Sequence, residues 1–263
     1  MSYRLNHLIE TKKAESKKLL SVFLTAGYPR IEDTVDLILN LAEAQVDFVE
    51  LGMPFSDPIA DGPVIQETSN VALKNGIQLE QILDMVKQIR GHSSIPILLM
   101  GYLNPIYKMG IDKFIVAAHQ SGADGLIIPD WPVEESSGYQ NLLQENDLDL
   151  IHLIAPNTPF DRIQKIDAAS TSFIYCAAYT GVTGKDNKPT KAAIDFFTML
   201  KKTIAHPFMI GFGIKSKEDF ETYTKYADGA IVGSAFLRLL GECSPENRKG
   251  EIKAFINNLR ESV

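Results

Sequence analysis

The stretch Asp47-Phe48-Val49-Glu50-Leu51-Gly52-Met53-Pro54-Phe55-Ser56-Asp57-Pro58-Ile59-Ala60-Asp61-Gly62-Pro63 decides how the chain is read. Its first part, Phe48 to Gly52, is apolar on both alternating positions except at Glu50. That is the pattern of a strand covered on both faces, as in a parallel sheet. Seven further runs share it: 19–25, 97–101, 125–128, 150–154, 173–177, 208–211 and 229–232. Amphipathic segments lie between them, at 31–44, 79–90, 111–120, 133–145, 191–203 and 216–226, while 245–259 closes the chain.

Eight repeated βα units close most economically into a barrel. An open doubly wound sheet of this size would carry a glycine-rich dinucleotide fingerprint after its first strand, and none follows 19–25. The expected fold is α/β, a single (β/α)8 TIM barrel over residues 1–263 with an N-terminal helix and extra helical elements. The chain has 263 residues, 45% of them hydrophobic, enough for one substantial core. A formal net charge of −7 argues against nucleic acid as a partner, since a phosphate-backbone binder needs a basic face. Only Cys176 and Cys243 are present, so neither a disulfide framework nor a cysteine zinc site is suggested. The start mixes Leu5, Leu8 and Ile9 with Arg4, Glu10, Lys12 and Lys13 in helical spacing, unlike a secretion signal. No run approaches the roughly 18 apolar residues of a membrane span. The expected location is the cytoplasm.

In such a barrel chemistry sits where strands end and βα loops begin. Glu50 shares a face with Phe48 and Gly52 in a strand buried on both sides. A carboxylate there needs an ion-pair partner or has a raised pKa; the first is structural, the second suits a general acid or base. The loop that follows is stiffened by Pro54, Pro58 and Pro63 and ends at Asp61, which read alone is a turn former before Gly62. Met53, Phe55 and Ile59 are apolar where a solvated loop would be polar, so they pack inward or against another protein.

Across the barrel, Gly211-Phe212-Gly213 ends the seventh run and Val232-Gly233-Ser234 the eighth, each followed by a helical segment. Barrels commonly bind phosphate on the bare amides of these two turns. The polar segment 178–189 after the sixth run, which holds Gly181, Thr183 and Gly184, is a candidate lid. It is not a P-loop, because Gly184-Lys185 lacks both the earlier spaced glycine and a following Ser or Thr. None of the eight runs contains a lysine for Schiff-base chemistry. The five histidines, at 7, 92, 119, 152 and 206, are scattered singly, so no metal site is expected. His152, inside an apolar run, reads as a hydrogen-bonded core residue. Acid–base chemistry on a small phosphorylated substrate remains.

The stretch from Val49 to Pro63 resembles the signature of the tryptophan synthase α subunit. The likeness continues in Phe23-Leu24-Thr25-Ala26-Gly27-Tyr28-Pro29, Asn104-Pro105, Asp130-Trp131-Pro132-Val133-Glu134-Glu135, Gly181-Val182-Thr183-Gly184 and Gly211-Phe212-Gly213-Ile214, so it covers nearly the whole chain. It implies a lyase of tryptophan biosynthesis that cleaves indole-3-glycerol phosphate to indole and glyceraldehyde 3-phosphate by a retro-aldol step. The chain itself would need no cofactor. Indole would pass to a β subunit that carries pyridoxal phosphate, in an α2β2 complex.

By the same resemblance Glu50 is the acid–base group and Asp61 stabilises the cationic indole ring. Phe23, Met100, Tyr102, Ile127, Tyr175 and Phe212 match the apolar indole pocket. Gly184, Gly213, Gly233 and Ser234 match the phosphate site, and Thr183 the lid residue that reaches the site on closure. One position departs from the pattern: Tyr179 stands where many members have Arg, so lid control differs. The apolar loop 53–63 is the expected docking region for the β subunit. A stand-alone lyase, a catalytically silent barrel that only activates its partner, and another sugar-phosphate enzyme on the same fold are the other readings.

Overall fold

The computed structural model describes residues 2–177, 189–211 and 213–260. Among these, nine strands form one parallel sheet: β1 (Leu19–Thr25), β2 (Phe48–Gly52), β3 (Ile97–Met100), β4 (Gly125–Ile127), β5 (Asp149–Ile151), β6 (Leu153–Ile154), β7 (Ile174–Ala177), β8 (Phe208–Gly211) and β9 (Gly229–Val232). Their order is β5-β4-β3-β2-β1-β9-β8-β7-β6. The two ends of that row, β5 and β6, are consecutive in the chain and separated by His152 alone. The sheet is therefore an eight-stranded barrel whose fifth strand is broken.

The expected continuous run 150–154 is corrected here, with a physical reason. Its first half pairs with β4 and its second half with β7, and the chain has to turn between the two neighbours to close the barrel. The His152 carbonyl still accepts the Tyr175 N–H at 2.9 Å across the break.

Period-two alternation sorts each strand into two cores. Outward residues such as Leu20, Val22, Val49, Leu51, Ile97 and Leu99 pack under the helices. Inward residues, including Leu19, Phe48, Leu98, Ile127, Ile151, Phe173, Tyr175, Met209 and Ile231, fill the barrel together with Leu5 and Ile9. Leu5 and Ile9 belong to the helix Tyr3–Ala14, which closes the barrel's N-terminal end. Polar bonds hold it there: Arg4 Nε reaches the wholly buried Asp124 at 2.8 Å, the Ser2 hydroxyl reaches the same carboxylate at 2.6 Å, and Lys12 pairs with Asp47 at 2.6 Å.

The helix Lys191–Thr203 forms where its apolar period places it, its start capped by the Thr190 hydroxyl, which accepts the Ala193 N–H at 3.3 Å. The expected helix 133–145 is broken at Ser137–Tyr139, a 3-10 turn containing Gly138. The helix Pro63–Lys74, absent from the sequence reading, starts at a proline whose missing N–H is harmless in a first turn. No helix among the described residues is long and apolar enough to cross a membrane.

Candidate active site

Glu50 lies in the middle of β2, paired with Phe23 on β1 and Leu98 on β3, and its side chain turns into the barrel. It has no exposed surface. The Ser21 hydroxyl donates to Glu50 Oε1 at 3.1 Å, and Oε2 is buried without a hydrogen-bond partner among the described residues. Burial pushes this carboxyl from the usual 4.5 up to about 8, with Ser21 pulling the other way. Near neutral pH the group is a protonated acid. Among the described residues what faces Glu50 is a hydroxyl and not a cation, which speaks against a structural ion pair.

Asp61 ends the loop after β2, just before Gly62 and the helix Pro63–Lys74. Burial raises its carboxyl, and a hydrogen bond from Tyr102 offsets part of that rise. The Tyr102 hydroxyl also accepts the Ala60 N–H at 3.0 Å, and its ring sits 5.4 Å from that of Phe55. Tyr102 thus anchors the loop at three consecutive levels: ring on ring, backbone, and carboxylate. The apolar residues of the loop divide. Met53 is buried against Gly101, where a Cβ would come within 2.9 Å of it, whereas Ile59 is 86% exposed.

A narrow cleft, open to solvent, lies at this end of the barrel and is lined by Phe23, Gly52, Met53, Asp61, Ile65, Ser69, Met100, Gly101, Tyr102 and Pro129. Of the expected pocket residues, Phe23, Met100 and Tyr102 therefore stand beside Asp61. Ile127 and Tyr175 lie deeper, in the barrel's inner core. The phenol of Tyr175 is held well above its ordinary pKa by burial first and then by the fields of Glu50 and Asp61. It packs on Gly211, where any side chain would overlap its ring.

The glycine turns lie on the other wall. Gly213 has a φ of +80°, which glycine adopts freely. Gly233 caps the helix Ser234–Glu242, whose first residue is Ser234. A Cβ at Gly233 would be 3.6 Å from Phe23 Cβ, and one at Gly52 would be 2.6 Å from Phe23 Cζ. The Phe23 side chain therefore spans from the Glu50 strand to the glycine turn. Thr183, Gly184, Phe212 and Tyr179 fall outside the described residues. Sequence reasoning missed Ser21, although a lone polar residue on the inward face of an apolar strand was a usable signal. It also missed Ile65 and Ser69, which depend on the unforeseen helix Pro63–Lys74.

The family model described as tryptophan synthase alpha chain matches residues 9–262. The chain belongs to that family. The tryptophan synthase alpha chain of Flavobacterium psychrophilum is 40% identical over 253 residues, covering 95% of this chain and 98% of that one. That of Christiangramia forsetii is 43% identical over 241 residues, covering 91% and 94%. Among solved structures, the tryptophan synthase alpha chain of Legionella pneumophila superposes with a TM-score of 0.89 at 34% identity, over 99% of this chain and 96% of that one. A chain of the Pyrococcus furiosus tryptophan synthase complex does so with 0.83 at 37% identity, over 92% and 97%. The TIM-barrel expectation and the family resemblance are both borne out.

Proposed function

We propose that Glu50 and Asp61 carry the retro-aldol cleavage of indole-3-glycerol phosphate, with Glu50 moving the proton and Asp61 holding the developing charge. The chain is a lyase of L-tryptophan biosynthesis that releases indole and glyceraldehyde 3-phosphate. The observation that carries the assignment of roles is the wholly buried Glu50, its carboxyl raised by burial, on the strand whose last residue, Gly52, lines a cleft that Asp61 also lines.

Indole leaves from a carbon–carbon bond only once C3 is protonated and the ring nitrogen carries positive charge. Glu50, neutral near pH 7, gives its proton to C3. Asp61, at the cleft edge, faces the ring N–H and stabilises the cation. The Glu50 carboxylate then takes the proton of the glycerol hydroxyl. That oxygen's electrons form the aldehyde carbonyl, the C–C bond breaks, and its electrons return to the ring. Proton and charge balance, and Glu50 ends as it began. Phe23, Met100 and Tyr102 supply the apolar wall of the indole site, with Ile127, Tyr175 and Phe212 completing it. Gly184, Gly213, Gly233 and Ser234 hold the phosphate with their backbone amides, and Thr183 closes over it.

No step of this reaction needs a cofactor in this chain; pyridoxal phosphate belongs to the β subunit, with which the chain assembles as α2β2. The exposed Ile59 in a loop otherwise tied down at Met53, Phe55 and Ala60 supports loop 53–63 as the docking region. Residues 1–263 act as one folded unit in the cytoplasm, a location that free Cys176 and Cys243 suit. The test is indole release from indole-3-glycerol phosphate, with and without a β subunit. Glu50→Gln abolishes turnover in a folded protein, and Asp61→Asn lowers kcat far more than it weakens substrate binding. Parent-like turnover in Glu50→Gln removes Glu50 from the mechanism, and a change confined to KM in Asp61→Asn makes Asp61 a binding residue only.

A further inference from the structure

The interior face of β1 reads Leu19, Ser21, Phe23, Thr25, and Ser21 comes level with the Glu50 carboxyl of the neighbouring strand. Both side chains are wholly buried, so neither exchanges its partner for water. Their bond at 3.1 Å leaves the two oxygens of Glu50 unequal: Oε1 accepts a hydroxyl, and Oε2 is enclosed without a hydrogen-bond partner among the described residues. A buried polar atom left in that condition is expensive, and the expense is removed when a ligand supplies the missing partner.

We propose that Ser21 is a positioning residue for Glu50: its hydroxyl occupies Oε1 and so leaves Oε2 as the oxygen that carries and transfers the proton. The inference rests on Glu50 being the acid of the cleavage step. A protonated carboxyl has one O–H to donate, and its carbonyl oxygen is the better acceptor. With Ser21 donating to Oε1, the carbonyl character stays there and the proton resides on Oε2, whose O–H finds its acceptor in the indole C3 of bound substrate. When the proton has left, the same Ser21 bond stabilises the carboxylate until the glycerol hydroxyl returns a proton. Ser21 touches no reacting atom.

The groups that face Glu50 from the packed strands leave few competing explanations. Phe23 on β1 and Leu98 on β3 carry no charge. Tyr175 on β7 is the titratable neighbour, and its phenol is kept neutral by burial and by the fields of Glu50 and Asp61. Among the described residues Ser21 is the one side chain that lowers the carboxyl against its burial.

The test is the pH profile of indole release by the full chain with its β subunit, for the parent, Ser21→Ala, Ser21→Thr and Glu50→Gln. Removing the hydroxyl moves the alkaline limb of the parent, where Glu50 loses its proton, upward by about one pH unit. It also lowers kcat at neutral pH with KM unchanged, since Ser21 does not contact substrate. Ser21→Thr, which keeps a hydroxyl, restores both. A Ser21→Ala profile that overlies the parent's while Glu50→Gln is dead overturns the role of Ser21 and leaves Glu50 as the acid. A Glu50→Gln enzyme that turns over normally overturns both. If Ser21→Ala does not fold, Ser21→Cys, close in size but a much weaker donor, takes its place: a carbon-13 titration midpoint of the Glu50 carboxyl above the parent's supports the proposal, and one equal to the parent's overturns it.

Discussion

Tyr102 receives the backbone N–H of Ala60 at 3.0 Å and hydrogen-bonds the carboxyl of the next residue, Asp61, so one phenol sets both the path of the loop and the state of its acid. Tyr102→Phe keeps the ring contact with Phe55 and removes both polar contacts. Asp61, already raised by burial, loses the one bond that lowers it, so it protonates at higher pH. Asp61 serves as an anion, and activity is lost as pH falls through its pKa. The acid limb of the rate profile therefore moves up, and kcat falls on the order of tenfold, the size of one hydrogen bond to a charged group. A parent-like acid limb in this variant means that Tyr102 only fills space.

Glu50 couples folding to pH. Its carboxyl titrates at about 8 in the folded chain against 4.5 when exposed, so between those values the folded state binds the extra proton. Stability from this group is fully present below 4.5 and is lost as pH rises towards 8, at most by ~1.4 kcal/mol per pH unit. Glu50→Gln has no such proton. Its melting temperature should gain on the parent's steadily from pH 5 to about pH 8 and hold that lead above. Denaturation of the two proteins across this range checks it, and a constant difference means that Glu50 is not buried as an acid.

Ser234 opens the helix Ser234–Glu242 after the Gly233 cap. An aspartate there favours the helix, because a negative charge suits its N-terminus, yet repels a bound phosphate. Ser234→Asp should keep or raise the melting temperature while weakening substrate and inorganic phosphate together. Titration of both ligands separates the outcomes: unchanged affinity for both moves the phosphate away from this turn.

Asp57 is an exposed member of the 53–63 loop, and the Ser56 hydroxyl donates to it at 2.5 Å. It lies outside the cleft lining, so it is suited to meet a partner rather than the substrate. Asp57→Ala should reduce stimulation by the β subunit more than it reduces basal indole release. Equal proportional losses, measured with and without the β subunit, assign Asp57 to shaping the site itself.

Much of this was legible in the chain because strand and helix periods are local. The runs at 19–25, 48–52, 208–211 and 229–232 coincide with their strands to the residue, and the parity of Phe48, Glu50 and Gly52 put the carboxyl on one buried face, which the structure shows to be the inward one. Asp61 and the glycine turns were marked by their positions after strand ends. The helix Pro63–Lys74 was not marked, since it follows a proline-rich loop and the polar run Gln66-Glu67-Thr68-Ser69-Asn70 interrupts its apolar positions.

The sequence by itself thus determined the number of βα units, which residues share a strand face and which carboxyls could act, because each depends on spacing along one strand or turn. Tertiary structure alone decided that the fifth strand breaks at His152, that the helix Tyr3–Ala14 stops the barrel floor, that Ser21 meets Glu50 and that Tyr102 holds Asp61. These contacts join residues 29 to 42 positions apart, or follow from closing the sheet. Register and strand tilt bring them together, and no local period encodes either.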